Sequence, residues 1–419
     1  MINIQEGVKL HVIPTKTFKT LSIQLMFKTT LKKETITERA LLSYLLETNS
    51  LNYPTQTDFR KRLSELYGAE YYTDVSRIGN AHILSINMDI VNDSYLDQTG
   101  LFEDVIDFLY QTLYHPHVFD HAFHGPTFDR EVTNLKDEYA SRIDDKEDYA
   151  AMKLMDLFFE SGKHSMPILG VEEELQKLNP KRLYDSYKDM LLHDELDIII
   201  LGDIETDRVK TAFEPWTFGP RSKSNASIFQ KIKRSKVMKR FEESQDIHQT
   251  KLAIGFRLPV YFKEEDFAAG LIFDGLIGGY THSKLFTRVR EKEGLAYAIS
   301  SDLDSFRGLM LVTAGIDDDK SKKVEDMIVE ELKTLQEGHF SESDLQLTKA
   351  LIKNEFMQTL DHPDSIIASL YSDVLINGPV WSIDDWVETI DAVTKQDVQR
   401  LAKTCTQEAV FLLRGEKSS

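Results

Sequence analysis

Arg290 and Tyr297 stand seven residues apart in the most closely specified stretch of this chain, Gly278-Gly279-Tyr280-Thr281-His282-Ser283-Lys284-Leu285-Phe286-Thr287-Arg288-Val289-Arg290-Glu291-Lys292-Glu293-Gly294-Leu295-Ala296-Tyr297. A guanidinium carries a rigid fork of N–H donors and a phenol carries one O–H, so a corner that brought the two side chains together would make a pair of hydrogen-bond donors. A second candidate is the cluster His115, His117, His121 and His124, of which the last three have the i, i+4, i+7 spacing of one helix face and could hold a metal, with Glu138 further along the chain. Against a metal, His115-Pro116-His117 reads as a loop between helices, and no Glu stands where a His-x-x-Glu-His helix needs it. The plainer reading of the histidines is an exposed, partly helical loop.

The elements around Arg290 and Tyr297 can be read from spacing. Gly278-Gly279 is a turn, Ser283 is placed to cap a short helix, and Leu285, Val289 and Lys292 fall on one side of it. Gly294 stops that helix in the left-handed conformation, and from Leu295 the period changes to two, as in a strand. Arg290 then lies on the last helical turn and Tyr297 just inside the strand. Elsewhere, strands are expected at 7–14, 21–27, 71–76, 82–90, 196–202, 251–258 and 409–413. Helices are expected at 38–46, 56–66, 101–114, 128–159 as one long element, 264–276, 320–335, 342–360 and 363–375.

With 419 residues the chain is long for one core and comfortable for two. A formal charge of -19 argues against nucleic acid or an anionic membrane as the main partner. One cysteine, Cys405, rules out an intrachain disulfide and a cysteine zinc cage. Neither a secretory start nor a membrane-length apolar run is visible, so a cytoplasmic location is expected. Eight Lys or Arg and no acid lie between Arg221 and Arg240, the pattern of a solvated basic linker.

The halves look like copies of one unit. Residues 62–71 can be laid on 288–297 without a gap, matching Arg, Glu, Gly and Tyr, and each half ends in a strand followed by Gly and an acid, Gly202-Asp203 and Gly415-Glu416. The expected organisation is an N-terminal half at 1–218, a linker at 219–246 and a C-terminal half at 247–419. The fold class is α+β: two homologous halves, each a mostly antiparallel sheet covered by helices, facing each other as a clamshell.

With Gly7 to Pro14, Leu201-Gly202-Asp203 and above all Gly278 to Tyr297, the sequence resembles the pitrilysin and mitochondrial-processing-peptidase family of zinc peptidases over essentially its whole length. In active members the first apolar helix carries His-x-x-Glu-His, two imidazoles on the metal and a carboxylate on its water, and a later Glu completes the site. The resemblance places Ala40, Ser43 and Tyr44 at the three motif positions and Glu138, seven residues after Glu131, at the later Glu. It therefore implies that no metal is bound by this chain. It also implies that Arg290 and Tyr297 bind the substrate backbone and steady the oxyanion at a metal site.

The resulting expectation is a metal-free subunit without independent activity, whose homologous partner carries His-x-x-Glu-His and the zinc and which acts on unfolded peptides. The alternative is a non-catalytic peptide clamp or scaffold, homodimeric in isolation. For the two candidate residues the plainer roles are an ion pair for Arg290 and a core position for Tyr297.

Overall fold

The computed structural model describes residues 2–415 except 98, 161, 220, 222–225, 232–234 and 236. Half of the basic stretch (Lys223, Lys233, Arg234 and Lys236), and Glu416 after the last strand, lie outside the described residues. The chain forms two compact units. The first comprises Met1–Ala140, Pro167–Ala226 and Pro363–Tyr371, and the second Ser141–Met166, Ser227–His362 and Ser372–Ser419. Neither unit is a contiguous half: residues 141–166 are counted with the second and 363–371 with the first.

The first unit contains β1 (Ile2–Gln5), β2 (Val8–Pro14), β3 (Thr20–Thr30), α1 (Lys33–Leu46), α2 (Gln56–Glu65), β4 (Glu70–Ile78), β5 (Ala81–Val91) and α3 (Leu101–Tyr114). It continues with β6 (Val118–Phe119), β7 (Ala122–Phe123), most of α4 (Gly125–Asp144), α6 (Glu172–Leu175), α7 (Pro180–His193), β8 (Glu195–Gly202) and α8 (Thr206–Phe213). Its sheet runs β1-β2-β8-β3-β5-β4, antiparallel except for the β2–β8 pair. A strand covered on both faces needs apolar residues at every position rather than alternate ones, and β8, with its Ile198-Ile199-Ile200-Leu201 run, is buried throughout. Helix α1 begins five residues earlier than its apolar run. Leu41 and Leu42 on it are fully buried, each contributing roughly 1.5–3 kcal/mol of apolar transfer.

The expected long helix at 128–159 is two helices. Asp145 interrupts it because its side chain accepts hydrogen bonds from the N–H groups of Glu147 (2.9 Å) and Asp148 (3.1 Å), capping α5 (Lys146–Phe159) as a new start.

The second unit contains α5, β9 (Lys239–Gln245), β10 (Thr250–Arg257), α9 (Phe267–Asp274), two π-helical turns at Gly275–Gly279 and Phe286–Lys292, β11 (Ala296–Asp304) and β12 (Leu309–Ile316). After these come α10 (Ser321–Gln336), α11 (Glu342–Thr359), the end of α12 (Pro363–Ile376), α13 (Ile383–Ala392), α14 (Lys395–Ala402) and β13 (Thr406–Gly415). The sheet order is β11-β12-β10-β13-β9, with β13–β9 the parallel pair. Along β10 and β13 alternate residues enter different cores. Ile254, Phe256 and Leu412 join the larger one, while Ala253, Phe411 and Leu413 pack with Leu154 and Phe158 of α5.

The two sheets share one topology. Strands β2, β8, β3, β5 and β4 of the first occur in the order of β9, β13, β10, β12 and β11 of the second, and in each the parallel pair joins the unit's last strand to an early one. Gly68 before β4 and Gly294 before β11 both have positive φ, +72° and +60°, the left-handed stop that glycine adopts without steric cost.

Candidate functional site

The corner at Gly294 is built from two departures from regular backbone. Ser283 Oγ accepts the Phe286 N–H at 3.3 Å, and the turn it starts winds as a π-helix over Phe286–Lys292. The wider winding alters which residues share a face. Leu285 and Val289 are fully buried, whereas Lys292, expected beside them, is exposed. The Glu293 N–H bonds the Arg288 carbonyl at 3.0 Å and the Leu295 N–H the Val289 carbonyl at 2.9 Å, closing the helix across Gly294. Strand β11 then pairs Ala296 with Ile316 and Ala298 with Gly315, leaving Tyr297 as the extra residue of a bulge. π-turns and bulges both re-aim side chains, and both are over-represented at functional sites.

These irregularities leave Arg290 and Tyr297 on the surface. Tyr297 is 63% exposed, so it is no core aromatic, and its phenol donates to Asp317 Oδ1 at 3.2 Å. Arg290 is exposed and its guanidinium lies 4.7 Å from the centre of the Phe286 ring. The acid-paired arginine of the turn is its neighbour Arg288, which bonds Glu331 and, at 2.7 Å, Glu330. Asp317, which also bonds Lys320, has no sequence signal that points to it. Only the register of β12 against β11 brings it beside Tyr297, and spacing along the chain carries no trace of that register.

In the first unit, Ala40, Ser43 and Tyr44 lie on α1. Ala40 offers no ligand atom. Ser43 is buried and its hydroxyl donates to the Ala40 carbonyl at 2.7 Å. Tyr44 is half-buried, and burial, together with the charges of Glu138, Glu47, Glu131 and Asp74, raises the pKa of its phenol. Glu138 is thus brought within electrostatic reach of Tyr44, with Glu47 and Asp74 as members the sequence did not suggest. Burial also raises the carboxyl pKa of both Glu47 and Asp74. Glu131 is buried and engaged by Arg130 and Asn134, each at 2.7 Å. A phenol held in its protonated form and a hydroxyl spent on the backbone do not fit a zinc ion. No group of three or more His, Cys, Asp or Glu among the described residues is arranged to hold a metal.

The histidine segment is a β-hairpin rather than a helix face. Asp120 and His121 occupy the turn between β6 and β7 with φ of +48° and +59°, the positive pair that a tight two-residue hairpin requires. His117 and His124 stack with centroids 4.3 Å apart, His124 Nδ1 contacts Thr127 Oγ1 at 2.9 Å, and His115 is exposed. Burial, then the neighbouring His124, lowers the pKa of His117.

Residues 177–352 match the peptidase M16 inactive domain. The chain is 29% identical to the probable inactive metalloprotease YmfF of Bacillus subtilis (strain 168), over 99% of this chain and 97% of that protein. Among solved structures, a conserved protein from Enterococcus faecalis V583 superposes with a TM-score of 0.96 at 36% identity, covering 100% and 99% of the two chains. The peptidase M16 inactive domain from Pseudomonas fluorescens has a TM-score of 0.80 at 12% identity, covering 98% and 96%, a likeness of fold alone. Among the described residues no helix is long and apolar enough to cross a membrane.

Proposed function

We propose, for a chain that is a homologue of the M16 metallopeptidases and matches their inactive domain, that it is the metal-free subunit of a heterodimeric zinc peptidase of the cytoplasm. A homologous partner would carry the intact His-x-x-Glu-His helix and its zinc. This chain would supply Arg290 and Tyr297 to an unfolded peptide lying in the partner's site. The observation that carries the reading is the exposure of both side chains on a π-turn and a bulge, where neither serves the core. Ala40, Ser43 and Tyr44, which cannot hold the metal themselves, agree with it.

In use, the Tyr297 phenol would turn its proton from Asp317 to the carbonyl oxygen of the scissile amide. The Arg290 guanidinium would donate to the same oxygen or to the adjoining peptide backbone as negative charge develops there.

The test is reconstitution with a homologous chain that has the intact motif, followed by cleavage of an unfolded fluorogenic peptide. Arg290→Ala or Tyr297→Phe is expected to lower kcat by about 10²-fold or more, the usual effect of losing one oxyanion donor, with the partner's zinc content unchanged. Because both residues are exposed, stability should change by no more than about 0.5 kcal/mol. Turnover by this chain alone, or reconstituted turnover indifferent to both substitutions, would overturn the proposal, and the second result would leave a scaffold role.

A further inference from the structure

A groove of about 760 Å³ opens between α3 and α8 of the first unit, well separated in sequence from Arg290, Tyr297 and the α1 positions. Its volume is in the range of ligand sites. Ile106, Tyr110, Pro215 and Trp216 give it an apolar floor, where the Tyr110 and Trp216 rings meet edge to face at 5.4 Å. Its rim carries Glu103, Asp107 and Asp207, and all three are exposed. Glu103, Asp107 and Gln111 recur every fourth residue along α3 and Asp207 and Thr211 do so along α8, so each wall presents one helical row.

The cations beside the groove are already engaged. Arg208 is held by Asp93, with Nη1 at 3.0 Å and Nη2 at 2.5 Å, and by Glu103, with Nε at 2.8 Å and Nη2 at 2.7 Å. Lys210 pairs with Asp207 at 3.1 Å. Four carboxylates thus face two cations, and the geometry spends the Arg208 donors inside the protein. An anionic ligand would find no unengaged positive group among these residues, whereas a cation would find Asp107 held only by the amide of Gln111 at 3.3 Å.

We infer that this groove binds a basic amphipathic peptide segment, with apolar side chains on Tyr110 and Trp216 and Lys or Arg side chains on the Asp107 and Asp207 rim. The match is the helix-in-groove mode, in which apolar anchors supply affinity and the charged rim sets register and selectivity.

The experiment is calorimetric titration of the full chain with an amidated amphipathic peptide of leucine and lysine, and with a twin in which glutamate replaces every lysine. The lysine peptide is expected to bind and its twin not to. Asp107→Asn combined with Asp207→Asn should weaken binding by about tenfold. Thr211→Trp, at an exposed position that a large ring would fill, should abolish it without touching a charge. Removing two exposed charges of the second unit, Asp326→Asn and Asp361→Asn, should leave it unchanged. Equal binding of both peptides overturns the inference, as does a groove variant that binds like the parent chain. So does a concentration-dependent dimer that the groove variant abolishes, which would give the surface to a second copy of this chain.

Discussion

Asp274 ends α9 directly ahead of the π-helical turn Gly275–Gly279, and its Oδ1 has no hydrogen-bond partner. Burial pushes its carboxyl pKa up to about 7; a bond from Ser301 opposes the rise and the charge of Asp302 adds to it. The unfolded chain releases this proton near its ordinary value of 3.8, while the folded chain keeps it to about pH 7. Between those values the folded state binds more protons, so this group's contribution to stability is full below pH 4 and is lost as pH rises to 7. Asp274→Asn is expected to remove that slope, gaining up to about 1.4 kcal/mol per pH unit over the parent chain through the window and staying level above it. Urea unfolding of both chains at several pH values checks this. Parallel stability profiles would mean that the carboxyl is solvated and ionised in the folded protein.

At the scale of elements, close approach matters as much as pattern. A Cβ on Gly255 of β10 would sit 2.7 Å from the Phe158 ring, so the missing side chain is what lets α5 lie on the sheet. Gly255→Val is expected to cost about 1–3 kcal/mol through overpacking, read as a lowered midpoint in thermal unfolding. A neutral result would mean that α5 can lift without loss.

The sequence made much of this architecture legible, for a physical reason. The alternation in β3 and β5, the apolar run of β8 and the glycine stops at 68 and 294 are local signals, and the structure follows them. The break at Asp145 was hidden because a charged helix surface tolerates an aspartate in the same sequence that lets it cap a new helix. Seven residues are too few to separate α from π winding by periodicity, so the α-helical spacing that groups Lys292 with Leu285 and Val289 does not hold for the exposed Lys292. The hairpin at His121 carries a misleading signal, because histidines at i, i+4 and i+7 imitate a helix face whatever the backbone does. Within the site, Arg290 and Tyr297 could be named from the chain, but Asp317, Glu47 and Asp74 reach theirs through strand register and helix packing, which one sequence does not record.

At the scale of the molecule, the first unit is completed from far along the chain. Asp364 accepts a bond from Gln24 Nε2 at 2.8 Å, and Ile367 and Tyr371 are almost wholly buried. A fragment of residues 1–226 therefore lacks a segment that belongs to its own compact unit. It is expected to show no cooperative urea transition by circular dichroism, and a transition matching that of the full chain would prove the distal segment dispensable. The same borrowing has a consequence during synthesis. At about 5–20 residues per second, a ribosome needs roughly 7–30 seconds to travel from residue 226 to residue 371. For that interval the finished strands of the first unit wait, unsealed, outside the exit tunnel, a natural client for a holding chaperone.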